Sequence, residues 1–227
     1  MRSVLSLSFS IATVCFLAAC SEVSHVGNYT GKPFTDSVYT AGMQIIPGRV
    51  YCAYYDFGGE GIAYHDVDEI NSGSGRLNPL NGTYLHSFRV DEAVDISYTK
   101  SEGLDDSEFN FVDAPMEVFY VGWTQPGEWT KYTVKVQKTG KYNVGLMYTS
   151  NRGGKISISV NEVDATGPID VISTFVEEDP MRSRQWHHWN YMDNIAEIEL
   201  KKGINVLTLH TVDQGQMNYM WLDFYDK

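Results

Sequence analysis

The alternation of apolar and polar side chains in the second half of the chain is the feature that most constrains its fold. Apolar residues occupy every second position within residues 130–136, 142–148, 156–160 and 196–200, and residues 204–210 are expected to form the strand that returns after the Lys201-Lys202-Gly203 turn. Successive side chains of a β-strand point to opposite faces, so this spacing predicts strands with one buried face. A further strand is expected over Met217–Tyr225, and no window favours a long amphipathic helix. Short strands at this spacing predict an all-β protein built as an antiparallel β-sandwich.

The first nineteen residues have the features of a secretory signal peptide. Arg2 precedes a nearly uncharged apolar run that ends in Leu17-Ala18-Ala19-Cys20. A basic start, an apolar core and small residues at the cut are typical of such signals. The last four residues also resemble the lipobox of bacterial lipoproteins, which implies cleavage before Cys20 and acylation of that residue. We expect residues 1–19 to be removed and Cys20 to anchor the protein in the cell envelope, at the outer membrane or cell surface. A plain secretory signal is the alternative.

The cysteine count agrees with an acylated protein. Cys15 lies inside the signal and Cys20 would carry lipid, which leaves Cys52 as the one remaining thiol. No intramolecular disulfide is then available, although the protein would be exported. Its stability must come from a hydrophobic core, which a chain of about two hundred mature residues is long enough to form.

The charge and the aromatic content narrow the classes of partner. The formal net charge is −12, and a nucleic-acid partner is not expected because phosphate binding requires positive charge. The 15 tyrosines, 10 phenylalanines and 5 tryptophans, together with 20 glycines, suggest loops that present aromatic rings.

The chain is predicted to contain one domain behind a tether. Residues 20–45 are polar with little periodicity, which indicates a flexible tether, and residues 46–227 show no internal repeat. Long irregular stretches are expected at 57–88, 101–117 and 173–194. A compact β domain rarely keeps loops of this length without a function.

Catalysis is one interpretation of the acidic loops. Six carboxylates are candidates for the acid pair of a glycoside hydrolase, namely Glu60, Asp66, Asp68, Glu69, Glu117 and Glu128. The chain has no Gly-x-Ser-x-Gly elbow, no His-Glu-x-x-His motif and no recognisable Cys–His nucleophile pair. We expect no enzymatic activity, because solvated acids are common on the loops of so acidic a chain.

Metal binding is a second interpretation. His187 and His188 are adjacent, so in an extended segment they point to opposite faces and do not readily share one ion. The spacing of His65 with Asp66 and Asp68 is only weakly typical of a zinc or calcium site. We expect no metal site.

Sugar binding is the third interpretation. Flat aromatic rings stack on the apolar faces of pyranoses, and fixed amides or carboxylates pair with the hydroxyls. Tyr64, Trp186 and Asn218 are of the right chemical types and lie in or beside predicted loops. Trp189 and Trp221 lie nearer strand ends and are expected in the core.

Short segments in order along residues 46–224 carry a family resemblance. They are Ile46-Pro47-Gly48-Arg49-Val50, the stretch Tyr55 to Asp66, Val94-Asp95-Ile96, the stretch Tyr120 to Val134, the pair Trp186 and Trp189, and Gln216 to Leu222. Together they resemble the family 6 carbohydrate-binding modules, which are usually appended to bacterial glycoside hydrolases. The resemblance implies a β-sandwich with jelly-roll, galactose-binding-like architecture over residues 46–227.

The resemblance also implies a sugar-binding cleft among the loops at one end of the sandwich. Tyr64 and Trp186 would enclose a sugar ring, and Asn218 would hydrogen-bond its hydroxyls. Glu60 and His65 would be polar contacts at the rim.

One position departs from the family pattern. Relatives typically have Glu-Ala-Glu near the start of the module, where the glutamates help to hold a structural calcium. This chain has Tyr51, Cys52 and Ala53 there, and the resemblance implies Asp223 as the one ligand position that remains. Calcium prefers several oxygen ligands, so we expect no tightly bound calcium and no other cofactor.

The sequence therefore predicts a membrane-anchored lipoprotein that binds a polysaccharide or oligosaccharide, such as a plant, algal or fungal β-glycan, without cleaving it. Glycoside hydrolases or glycan transporters are the expected protein partners. Two alternatives stay open: a glycan-active hydrolase that uses loop carboxylates, and a structural envelope lipoprotein that has lost sugar binding.

Overall fold

The computed structural model describes residues 22–227, so the predicted signal peptide and the lipidation residue Cys20 lie outside the described residues. The strands, in chain order, are β1 (Gln44–Ile46), β2 (Gly48–Tyr51), β3 (Tyr64–His65), β4 (Ile96–Tyr98), β5 (Phe119–Val121), β6 (Trp129–Val136), β7 (Gly140–Ser150), β8 (Gly154–Val160), β9 (Val163–Asp164), β10 (Ile169–Val171), β11 (Asn190–Leu200), β12 (Gly203–Asp213) and β13 (Met217–Asp226). The helical elements are a single turn, α1 (Tyr84–Ser87), and 3-10 turns at Cys52–Tyr54 and Arg182–Trp186. Within residues 22–227, no helix has the length and apolar character needed to cross a bilayer.

The strands form two sheets. The first has the order β1-β6-β12-β8-β10, with β3 beside β6 and β9 beside β8. The second has the order β11-β7-β13-β5-β4, with β2 beside β13. The pairings are antiparallel except for β1 with β6, which run parallel. The predicted all-β antiparallel sandwich is confirmed.

The alternating side chains build the core between the sheets. Tyr132, Val134 and Val136 of β6 are buried, and so are Leu146 and Tyr148 of β7. The intervening position of β7, Met147, instead joins a second apolar cluster on the opposite face of its sheet. That cluster also holds Trp189 and Trp221, both buried. Sheet pleating therefore gives the second sheet two apolar faces, one against the core and one against the long loops.

Residues 22–45 are not a free tether, which corrects the prediction from their polar composition. Phe34 is 3% exposed and stacks on Tyr54 with ring centroids 5.4 Å apart. The backbones of Lys32 and Phe57 exchange hydrogen bonds of 2.8 and 2.7 Å. Burying one large ring contributes on the order of 2–3 kcal/mol. The single residue Phe34 can therefore hold this segment against the domain although most of its residues are polar.

Strand directions give the sandwich two distinct ends. Turns 137–139 and 201–202 lie together at one end, where the Lys202 amide donates to Thr139 Oγ1 at 2.8 Å. We call this the turn end. Residues 120–128, 172–189 and 213–217 meet at the opposite end, which we call the loop end.

Candidate functional site

A cleft of about 410 Å³ opens at the loop end. Four separate stretches of chain supply its walls, and the lining residues are Leu77, Tyr120, Trp123, Ser183, Trp186, His187, Gln216 and Asn218. Two of the sequence candidates, Trp186 and Asn218, therefore come together in one site.

Trp186 is held by its backbone rather than by its ring. It is the last residue of the 3-10 turn Arg182–Trp186, and its carbonyl oxygen accepts two hydrogen bonds. One comes from Thr149 Oγ1 and the other from Asn218 Nδ2, both at 2.7 Å. Because β7 and β13 supply these donors, the sheet fixes the position of the residue and leaves its half-buried ring at the cleft.

Asn218 lies near the start of β13 with a fixed amide orientation. Its Nδ2 also donates to Thr149 Oγ1 at 2.9 Å. A carbonyl oxygen such as that of Trp186 can only accept, so the nitrogen of the amide must face it. The amide oxygen, Oδ1, lies toward Gly122, where a Cβ would come within 2.8 Å of it. The absence of a side chain at Gly122 therefore leaves room for Oδ1.

His187 is oriented by a buried carboxylate. Its Nδ1 lies 2.8 Å from Oδ1 of Asp105, whose side chain is 0% exposed. The same oxygen accepts from Trp189 Nε1 at 2.7 Å, and Oδ2 accepts from the Lys100 amide at 2.7 Å. Three donors thus satisfy a carboxylate that would be costly to bury alone.

A second buried carboxylate secures the loop that carries Ser183. Asp179 accepts from Arg184 Nε and Nη2 and from His188 Nε2, each at 2.7 Å. Hydrogen bonds from the Arg184 guanidinium are the main cause that holds the pKa of Asp179 well below its usual range. The cleft wall is therefore built on rigid, charge-paired supports.

Trp123 is a functional candidate that sequence reasoning did not single out. It lies two residues after the end of β5, has a φ of +48°, and is 37% exposed in the cleft that contains Trp186. A left-handed backbone at a large aromatic residue is uncommon and clusters at functional sites. The sequence signal that could have identified it is a tryptophan that follows a buried strand and one glycine, at the start of a loop.

Tyr64 does not contribute to this cleft. Its ring is 6% exposed, belongs to the core, and packs edge-on against Tyr55 with centroids 5.5 Å apart. Its hydroxyl accepts from the Ala93 amide at 3.4 Å. Tyr64 pairs with Thr130 in the β3–β6 register, and this register turns its side chain inward. The expected pair of Tyr64 and Trp186 around a sugar ring is not formed.

Glu60 and His65 lie beside β3 and not in the cleft. The carboxylate of Glu60 pairs with His65 Nδ1 and accepts from the Asp66 amide at 3.1 Å. The His65 ring lies 6.3 Å from that of Trp129. These two rim candidates therefore pair with each other instead of meeting Trp186.

Asp66 and Glu128, two of the candidate acids near β3, do not enclose a sugar-sized space. Burial is the main cause that raises the pKa of Asp66 and of Asp95 to about 6 and that of Glu128 to about 8. Glu128, His65 and Asp66 line a cavity of only about 20 Å³, which is about the space of one water. A glycoside therefore does not fit between Asp66 and Glu128.

The positions that hold calcium in relatives do not fit that ion here. Tyr51 and Ala53 stand at the positions of the two glutamates. Ala53 is fully buried, and the Tyr51 ring packs edge-on against Trp221 with ring centroids 5.9 Å apart. The Asp223 carboxylate lies 3.4 Å from Arg49 Nε and accepts from Trp221 Nε1 at 3.2 Å. Apolar side chains and a guanidinium replace the oxygen ligands that calcium needs. Among residues 22–227, no group of three or more His, Cys, Asp or Glu side chains is arranged to hold a metal ion.

Comparison with known proteins places the fold and the cleft in context. The family model described as carbohydrate binding module (family 6) matches residues 96–226. The chain belongs to this family. No curated protein matches it.

Solved structures of modest similarity include several modules of the same family. One from Clostridium stercorarium, solved with cellobiose, is 12% identical; the match covers 83% of this chain and 100% of that one, with a TM-score of 0.48. A β-1,3-glucan-binding module from Bacillus halodurans is 14% identical over 80% of this chain and 98% of that one, with a TM-score of 0.47. A module of Cellvibrio mixtus lichenase 5A, solved with cellotriose, is 16% identical over 59% and 87%, with a TM-score of 0.41.

Proposed function

We propose that the loop-end cleft of this family 6 module binds a polysaccharide or oligosaccharide, such as a β-glycan, without cleaving it. The observation that carries the proposal is the presence of two tryptophan rings, Trp123 and Trp186, in one cleft with the fixed amide of Asn218. Rings of this kind offer large, rigid surfaces to the C–H faces of sugars, and a fixed amide pairs with hydroxyls.

The size of the cleft supports a short binding site. A volume of about 410 Å³ lies at the lower end of the range for small-molecule pockets. It accommodates only a few sugar units, so the affinity of one site is modest. Binding to a polymer would then depend on many repeated sites along the glycan, or on several copies of the protein at one surface.

The lining argues against hydrolysis at this cleft. None of its eight lining residues is an aspartate or a glutamate, so it lacks the carboxylate pair of a glycoside hydrolase. His187 and Asp105 do form a histidine–carboxylate pair, and Ser183 lines the same cleft. Among the described residues, however, the Ser183 hydroxyl makes no hydrogen bond to His187, as an activated serine nucleophile requires.

A lipid anchor on Cys20 remains part of the proposal, with glycoside hydrolases or glycan transporters as partners at the membrane. Its support lies at the turn end, where the His25 amide donates to the Ile204 carbonyl at 2.8 Å and Glu22 pairs with Lys135. Glu22 is the second residue after Cys20, and an extended chain spans at most about 3.6 Å per residue. An anchor there would hold the turn end near the membrane and direct the cleft outward.

A glycan array tests the binding proposal. We expect the wild-type protein to bind a set of β-glycans on the array. The Trp123→Ala variant should bind none of that set. Phe111→Ala is the matched control, because Phe111 is an exposed aromatic residue that does not line the cleft. An array on which no glycan binds the wild-type protein would contradict the proposal. Product release from the bound glycans would favour the hydrolase alternative.

A further inference from the structure

Two polar atoms that line the cleft are oriented by buried partners, and both are hydrogen-bond acceptors. One is a ring nitrogen of His187 and the other is the amide oxygen of Asn218. Their character follows from the buried partners of each side chain.

At His187, Asp105 determines which nitrogen carries the proton. An ionised carboxylate only accepts, so the Nδ1 that lies 2.8 Å from it must carry a proton. In a neutral imidazole with Nδ1 protonated, Nε2 carries the lone pair. No group among residues 22–227 hydrogen-bonds to Nε2, and the ring lines the cleft while its side chain is 17% exposed. His187 Nε2 can therefore accept a hydrogen bond from a ligand in the cleft.

At Asn218, both amide hydrogens are used inside the protein. Nδ2 donates to the Trp186 carbonyl at 2.7 Å and to Thr149 Oγ1 at 2.9 Å. These bonds leave Oδ1 as the polar atom available to a ligand. Ser183 and Gln216 also line the cleft, but their side chains can both donate and accept and therefore do not discriminate. The indole N–H groups of Trp123 and Trp186 only donate, so the two acceptors discriminate at the sugar positions that lie beside them.

The charge of the surroundings agrees with this pattern. None of the eight lining residues is a lysine or an arginine, and the whole chain has a net charge of −12. A sugar hydroxyl can donate to an acceptor, whereas a sulfate or a carboxylate substituent has only acceptor oxygens. An anionic substituent beside His187 Nε2 or Asn218 Oδ1 would leave two acceptors facing each other.

We infer that the cleft selects neutral glycans with free hydroxyls and excludes glycans that carry sulfate or carboxylate groups, with His187 held by Asp105 as a specificity-determining residue. The inference rests on the proposed function and names the class of ligand for the same cleft. One unpaired buried polar group weakens binding by roughly 5- to 150-fold, and this range is the expected discrimination.

Matched oligosaccharides test the inference by calorimetry. Cellohexaose and laminarihexaose are compared with their C6-oxidised, uronic-acid counterparts at about pH 8, where imidazole is ordinarily neutral. We expect the neutral member of a bound pair to bind at least fivefold more tightly. The difference should persist at about 1 M NaCl, where the Debye length is about 3 Å and the overall charge is screened. Equal affinities within a pair would overturn the inference while leaving sugar binding intact. If neither pair binds, the same comparison is made with the neutral and uronic-acid forms of a glycan bound on the array; if no glycan on the array binds, both the inference and the proposed function fail.

A histidine substitution assigns the discrimination to one residue. His187→Lys replaces the acceptor with a cationic donor, so the ratio of neutral to oxidised affinity should fall by at least fivefold. His65→Lys adds the same charge outside the cleft and should leave the ratio unchanged. Equal ratios in both variants would contradict the role of His187. Thermal unfolding verifies that each variant is folded, and if His187→Lys is not, the wild-type comparison still decides the specificity.

Discussion

The segment 54–66 and the loop-end cleft contain similar types of side chain, but the fold buries different members of each set. Both contain aromatic rings, histidines and acids. In the segment, the ring of Tyr64 fills the core, and Glu60 and His65 pair with each other. At the loop end, the acids Asp105 and Asp179 are the buried residues, and the rings of Trp123 and Trp186 remain open. A ligand can use only the rings that the fold leaves uncovered.

The two regions also differ in how they treat charge. Asp179 is stabilised in its ionised form by Arg184, which lowers its pKa. Glu128, near segment 54–66, is buried with other carboxylates and has a pKa raised to about 8. The first acid strengthens the fold when ionised, and the second weakens it.

The largest expected effect is a loss of stability at Tyr64, one of the two aromatic residues that were expected from the sequence to enclose a sugar ring, the other being Trp186. Tyr64→Ala removes a buried ring from the core, and by analogy with other aromatic deletions it should lower the free energy of unfolding by about 3–5 kcal/mol. Trp186→Ala should change stability much less, because its backbone carbonyl makes the hydrogen bonds. Urea denaturation of both variants measures the difference. A Tyr64→Ala variant as stable as the wild type would show that the ring is not a core element.

The pH dependence of stability contrasts the two buried acids. The pKa of Glu128 is raised in the folded state, so its contribution is fully present below its unfolded pKa of about 4.5 and is lost as pH rises through about 8. The pKa of Asp179 is lowered, so its contribution is present above its unfolded pKa and is lost as pH falls below the usual carboxylate range. Glu128→Gln should therefore flatten the decline in Tm between pH 5 and 8. Asp179→Asn should instead lower Tm most at neutral pH. A decline unchanged by Glu128→Gln would contradict the assignment.

An added methyl group tests the packing behind the cleft. Gly122→Ala places a Cβ about 2.8 Å from Asn218 Oδ1, so the amide must shift. We expect glycan affinity to fall by roughly tenfold, on the scale of one misplaced hydrogen bond. Gly140→Ala is the control, because a Cβ at that position meets no atom within 4 Å. Unchanged calorimetric affinity in Gly122→Ala would show that the position of Oδ1 does not matter.

The smallest effect is expected for the exposed pair of segment 54–66. Glu60→Gln should change stability by less than about 1 kcal/mol, since surface ion pairs contribute little. It should leave glycan affinity unaltered, because Glu60 does not line the cleft. A clear loss of affinity on titration would place part of the binding site on this segment.

Sequence patterns predict the sandwich well because alternation reports directly on the buried face of each strand. They also bring forward Trp186 and Asn218, which meet in the cleft. They fail for Tyr64, since one step of register decides whether Tyr64 or its neighbour His65 faces the core. They miss Asp105, which lies 82 residues from its partner His187 and is brought there only by folding. The packing of residues 22–45 was hidden in the same way, because it depends on the long-range burial of Phe34.

Calorimetric titration of Trp186→Ala and Tyr64→Phe with one glycan that the wild-type protein binds tests the central claim most directly. Tyr64→Phe keeps the core ring and removes only a hydroxyl, so its affinity should equal that of the wild type. Trp186→Ala removes the open ring, and its affinity should fall by about 100-fold or more, in the range of a binding hot spot. Retained affinity in Trp186→Ala, or lost affinity in a folded Tyr64→Phe, would contradict a binding site at the loop-end cleft.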